Sequence, residues 1–112
     1  MTAQTPKLLG QGRYNNTTNN TVYTVPASTT AQFTSIRVAN TTATAATVRV
    51  FVTPSGGTAD QTTAIVYDFN IPANDYAEFI AKPIILGASG TLQVQNGTAN
   101  AITFTISGLE LA

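Results

Sequence analysis

The stretch VPASTTAQF, residues 25–33, is answered 46 residues later by IPANDYAEF, residues 71–79, with Pro, Ala, a short turn-former, Ala and Phe in matching places. Each copy reads as strand, corner, strand. Proline presets φ near −65° at the first corner position, alanine fits a tight bend, and Ser28 or Asn74 bonds back to its own backbone. The Ala-x-Phe that follows then re-enters a strand with the ring pointing inward. The match continues as TVRV (47–50) and TLQV (91–94). Two related half-domains are therefore expected, two packed sheets with a similar hairpin feeding each.

Working outward, turn chemistry recurs at short intervals: PSGG (54–57), PAND (72–75), GASG (87–90) and NGTAN (96–100). Between the turns lie TVYTV (21–25), QFTSIRVAN (32–40), TVRVFVT (47–53), TAIVYDFNI (63–71), YAEFIA (76–81), a short PIIL, TLQVQN (91–96) and AITFTISGLEL (101–111). Thr and β-branched aliphatics dominate and no stripe of helical period runs through them. The fold class predicted is all-β, an antiparallel, jelly-roll-like β-sandwich of about eight strands.

Alternation assigns the faces. Val48, Val50 and Val52 share one parity, as do Ile65, Tyr67, Phe69 and Ile71, then Leu92 and Val94, then Ile102, Phe104 and Ile106. Thr47, Arg49, Asp68, Asn70, Gln93, Gln95, Thr103 and Thr105 take the other. The first set is predicted to face the core. The parity breaks after Phe33 and again after Ile106, where inserted bulge residues would carry it to Ile36 and Val38 and to Leu109 and Leu111. Phe51 and Val66 fall on the polar parity, which marks them either for apolar contact outside the domain's own core or for second-face packing beneath the arm.

Residues 1–20 show no periodicity, contain Pro6, Gly10 and Gly12, and end in NNTTNN. They read as an extended N-terminal arm, anchored by Leu8, Leu9 and Tyr14, ahead of a sandwich domain over 21–112. Leu8, Leu9, Arg13, Tyr14, Arg37, Arg49 and Phe51 are the candidate partner-binding residues.

Composition narrows the function classes. Charged residues are 9% of the 112, with five basic and five acidic, against about 25% charged in ordinary soluble domains. No basic face offers itself to nucleic acid, and no apolar run reaches the roughly 20 residues that span a bilayer. Cys and His are both absent, which removes thiol chemistry, the commonest metal ligand and the commonest base at neutral pH. Of the acids, only Asp75 and Glu78 lie close in sequence, with no sign of the facing carboxylates that glycoside hydrolysis needs. No enzyme activity, cofactor or small-molecule substrate is expected. Asp68, Asn70, Asn74 and Asp75 flank one corner and could offer oxygens to Ca²⁺, but Asx residues at such corners usually cap turns, and no metal site is assigned.

The run VYTVPASTTAQFTSIRVANTTATAATVRVFVTPSGG, then IPANDYAEF, ILGASGTLQV and ITFTISGLEL, resembles small β-sandwich or jelly-roll virion proteins of tailed bacteriophages. The likeness covers residues 21–111 and departs at GASG, where many relatives carry an acidic Gly-Asp corner. It implies a capsid decoration (cement) protein, a homotrimer in many relatives, that binds the assembled major capsid protein. Such a protein sits on the virion surface and is made in the host cytoplasm. The alternative is a tail, neck or fibre component with a receptor-binding role. In either case the partners are proteins, the major capsid protein and further copies of the chain.

Overall fold

The computed structural model describes residues 4–79 and 83–112, and all regular structure among them is β. The strands are β1 (Gln4–Arg13), β2 (Asn20–Thr24), β3 (Thr30–Asn40), β4 (Ala46–Thr53), β5 (Ala64–Ile71), β6 (Tyr76–Glu78), β7 (Ile84–Leu86), β8 (Thr91–Asn96) and β9 (Ile102–Leu111). The end of the predicted YAEFIA strand and the first three residues of the arm lie outside the described residues.

Two antiparallel sheets form a sandwich. One has the order β1-β9-β3-β6, with β7 also pairing β3, and the other β2-β8-β4-β5. Only the β4–β5 and β6–β7 connections stay within one sheet. The repeated sentence is explained by this crossing. Both copies carry the chain from the four-strand sheet to the five-strand sheet, β2 to β3 and β5 to β6, and both do so with a left-handed residue at the same place. Ser28 and Asn74 each have φ 57°, and the turn there swings the strand out of one layer into the other. The predicted hairpins are thus arches between sheets. Their second strands meet, Arg37 of β3 opposite Glu78 of β6, while β2 and β5 stand at opposite edges of the other sheet.

Each arch is stitched to a neighbour. Val25 N–H donates to Gly90 O at 2.9 Å and Ser89 N–H to Val25 O at 2.9 Å, while Asn74 N–H donates to Thr42 O at 3.0 Å. Asn40, buried at the end of β3, gives its amide to Thr44 O and Ile71 O and takes bonds from Thr42 N–H and Oγ1. A buried amide that saturated holds the corner without the penalty of an orphaned polar group.

The core lies between the layers. Phe33, Ile36, Val38, Val48, Val50, Ile71, Leu92, Val94, Ile102, Phe104 and Ile106 are each fully buried, and every such side chain contributes about 1.5–3 kcal/mol of apolar burial. The predicted bulge after Phe33 is present, with a register shift between Phe33 and Ser35 against β9. The one after Ile106 is not. β9 keeps its alternation to the end, so Gly108 stays opposite Phe33, Glu110 stays opposite Ala31 on the inner face, and Leu109 and Leu111 turn outward, half-buried. The extra residue is supplied by β1, at Leu9.

Residues 4–13, expected as an arm outside the sandwich, form its edge strand. Gln4 lies opposite Leu111 and Arg13 opposite Thr103. The bulge drives Leu9 into the core at 9% exposure and leaves Leu8 outside at 54%. Gly10 is required there, because a Cβ would stand 2.6 Å from Val22 Cγ1 and 2.7 Å from Val22 O across the sheet gap. The arm reading fails at these residues because their partner strand is about a hundred positions away, out of reach of any local pattern.

β5 also corrects the reading of faces. Its register against β4 slips twice, between Val48 and Val50 and between Val50 and Phe51. Val66, assigned to the polar side, therefore packs on the core, while Ile65 and Tyr67, assigned to the core, are 40% and 42% exposed; Phe69, assigned with them, is 47% exposed on this edge strand.

Candidate functional surface

Outside the core, the most built feature is the outer face of the four-strand sheet, organised by Arg49. Between the Val48–Phe69 and Val50–Val66 pairs, Arg49 alone stands opposite two residues, Tyr67 and Asp68. Asp68 is the residue that makes this possible. Among the described residues, four of the five non-glycine residues with positive φ occupy turns, whereas Asp68 (φ 54°) interrupts a strand. Bulges of this kind re-aim side chains, and Asp tolerates the left-handed region better than most residues.

The result is a double clamp on one guanidinium. Arg49 Nε donates to Asp68 Oδ1 at 2.6 Å and Nη2 to Oδ2 at 3.1 Å, and the guanidinium carbon lies 4.0 Å from the centre of the Tyr67 ring. The Arg49 bond holds the Asp68 carboxyl below the usual carboxylate range and pushes the guanidinium up. Around the clamp run two adjoining hollows of about 430 and 260 Å³ that share Arg49 and Gln95. The β4–β5 loop forms one wall and the 14–19 segment the other. Asn19 Nδ2 joins the two walls by donating to Ala59 O at 3.2 Å. Gln95 Nε2 and Asn96 Nδ2 tie the segment down, donating to Thr17 O and Asn16 O at 2.6 Å each.

The seven residues singled out from sequence do not gather at one place. Leu9 is in the core. Tyr14 packs on Phe104 with ring centroids 6.3 Å apart, and burial pushes its phenol up. Phe51 is 2% exposed; it faces outward from β4 but lies beneath the β4–β5 loop, so its expected external contact is met inside its own chain. Leu8 and Arg13 are exposed on the edge strand β1. Arg37 is on the other sheet, 3.5 Å from Glu78 and stacked 4.3 Å over Tyr76. Only Arg49 and the buried Phe51 line the hollows. Tyr67, Asp68, Gln95, Asn19 and Gln61 were missed as a group; the one sequence signal was an Asp inside the apolar run IVYDF.

The acidic side chains are all engaged. Asp68, Glu78 and Glu110 pair with Arg49, Arg37 and Lys7, Asp60 Oδ1 caps Thr62, and Asp75 Oδ1 accepts from Tyr76 N–H at 2.8 Å. The corner weighed for Ca²⁺ is thus spent on an ion pair and a cap. Among the described residues no group of three or more His, Cys, Asp or Glu side chains that could hold a metal ion is present.

No protein-family model matches the chain, and no curated protein matches it in sequence. In three dimensions it is similar to a chain in the acidic stable capsid structure of the Helicobacter pylori bacteriophage KHP30. The TM-score is 0.57 and the identity 11%, and the match covers 100% of this chain and 94% of that one. At that identity the likeness is one of fold, over the whole of this chain.

Proposed function

We infer that the chain is a structural component of a bacteriophage virion, working by shape and contact and without catalysis. Within that class it is a decoration protein that binds the assembled major capsid protein and further copies of itself as a homotrimer. The observation that carries this reading is the fold match to a chain of a phage capsid structure, which covers all of this chain and 94% of that one. The engagement of all the carboxylates in pairs and caps supports a non-catalytic role. The low charge supports it too, since hydroxyl and amide surfaces make uncharged hydrogen bonds that symmetry multiplies.

The contact assigned to the neighbour is the N-terminal edge. β1 runs along the margin of the five-strand sheet with Gln4 through Leu8 exposed, and Leu8 presents an apolar side chain on that margin. Neighbours that add to such an edge gain main-chain hydrogen bonds as well as side-chain contact.

The experiment is attachment of the purified chain to capsids assembled without it. The wild type binds at a copy number comparable with the major capsid protein, and Leu8→Asp, which alters an exposed position and leaves the fold intact by circular dichroism, does not. Equal binding of the two proteins overturns the edge contact. Absence of binding by both, with adhesion of the wild type to host cells, replaces the capsid reading by the tail or receptor-binding one.

A further inference from the structure

We propose that the paired hollows on the outer face of the four-strand sheet are a binding site for a neutral oligosaccharide. Three side-chain amides from three separate segments, Asn19, Gln61 and Gln95, share one arrangement. Each donates its N–H₂ to the protein, to Ala59 O, Tyr67 Oη and Thr17 O respectively. Each keeps a carbonyl oxygen that accepts no hydrogen bond among the described residues. Arg49 spends Nε and Nη2 on Asp68 and retains Nη1. The wall therefore offers fixed acceptors beside fixed donors, and the vicinal hydroxyls of a sugar, each both donor and acceptor, match that alternation.

The electrostatics select against other ligands. The one cation in the hollows is neutralised by Asp68, and Asp60 adds a second carboxylate, so phosphate, sulfate and acidic sugars meet no surplus positive charge. A peptide would seek an unpaired strand edge, but β4 and β8 beneath the hollows are hydrogen-bonded on both sides, and the edge strand β5 is open only on the side away from β4. Tyr67 supplies the flat apolar surface that the C–H face of a sugar ring packs against. It is 42% exposed, and the Arg49 guanidinium over its ring and the Gln61 amide on its hydroxyl hold it in place. The larger hollow, about 430 Å³, lies within the range of roughly 300–1,000 Å³ of small-molecule sites. Its continuation past Arg49 and Gln95 into the second suits a chain of sugars better than a single ring. The strand bulge at Asp68 is the expense of this arrangement, a left-handed residue retained where the clamp requires it.

The test is a two-dimensional amide NMR titration of the full chain with maltotriose, cellotriose, chitotriose and mannotriose, and with inorganic phosphate, a heparin disaccharide and a neutral tripeptide. At least one neutral saccharide is expected to shift the Asn19, Gln61, Tyr67 and Gln95 signals saturably at millimolar concentration. Tyr67→Ala weakens that binding by roughly tenfold, the worth of one aromatic contact. Gln95→Ala, which leaves the strand's backbone pairing intact, weakens it as well, while Leu8→Asp does not. Tyr67→Ala still attaches to capsids, which separates this site from the edge contact. The proposal is overturned if none of the saccharides produces saturable shifts there, if both substitutions bind as the wild type does, or if phosphate, the heparin disaccharide or the tripeptide binds more tightly.

Discussion

The hydroxyl of Tyr23, on β2 of the four-strand sheet, donates a 2.5 Å hydrogen bond across the sandwich to Glu110, on β9 of the five-strand sheet. Lys7 of β1 donates to the other carboxylate oxygen at 2.8 Å, so one carboxylate gathers three strands from two layers. Tyr23→Phe keeps the edge-on packing against Phe33, with centroids 5.9 Å apart, and removes only the bond. The expected loss is about 1–2 kcal/mol, read as a lower urea midpoint with an unchanged slope.

The pH dependence follows from the same groups. With no histidine, no side chain changes charge between about pH 5 and 8, and stability is expected to be flat there. Glu110, held low by its bonds from Lys7 and Tyr23, and Asp60 and Asp68, held low by Thr62 and Arg49, titrate below their unfolded values. Their contribution is complete above the unfolded carboxyl range, about pH 4, and is lost as pH falls through the folded values, because the unfolded chain takes up protons first. At the alkaline end Tyr23, raised by burial and then by the Glu110 bond, favours the folded state below about pH 10 and loses that effect above it. Thermal midpoints measured from pH 3 to 11 should show the plateau and both declines. A midpoint that fell between pH 8 and 6 would contradict this assignment.

Adjacent leucines distinguish a seated strand from a loose arm. Leu9→Ala removes a core side chain and is expected to cost about 2–3 kcal/mol, whereas Leu8→Ala, at an exposed position, stays within about 0.5 kcal/mol of the wild type. Equal and small effects in urea unfolding would mean that β1 does not rest on β9 in solution.

Phe51 offers a parallel case on the opposite sheet. It is buried under the β4–β5 loop and is not part of the main core cluster. Phe51→Ala is expected to destabilise by about 3 kcal/mol and to speed proteolysis within the 54–63 loop. Unchanged protection of that loop would show that another contact holds it.

The two copies of the corner can be made to compete. Ser28 and Asn74 share φ 57°, a conformation that Asn tolerates and β-branched residues resist. Ser28→Asn should raise the urea midpoint, and Ser28→Val should lower stability by about 1–2 kcal/mol. The reverse order would mean that the hydroxyl, and not the backbone, governs this turn.

Strands, turns and corners were legible in the letters because they are local. Alternation, β-branching, and Pro-Ala followed by a short turn-former act within a few residues, and they located eight strands, the repeated corner and the bulge beyond Phe33. Long-range pairing was not legible. β1 is a strand because β9 lies beside it, and Phe51 is covered because a loop folds back over it. Tyr67 and Asp68 meet Arg49 because a single inserted residue turns two neighbours to the same side, and a period-two pattern cannot register that insertion. Chain chemistry alone therefore determined that the molecule would be a charge-poor, layered β protein. Which faces close on one another, and which side chains gather in the hollows, was decided only by register and loop packing, where contacts far apart in the chain outweigh local preference.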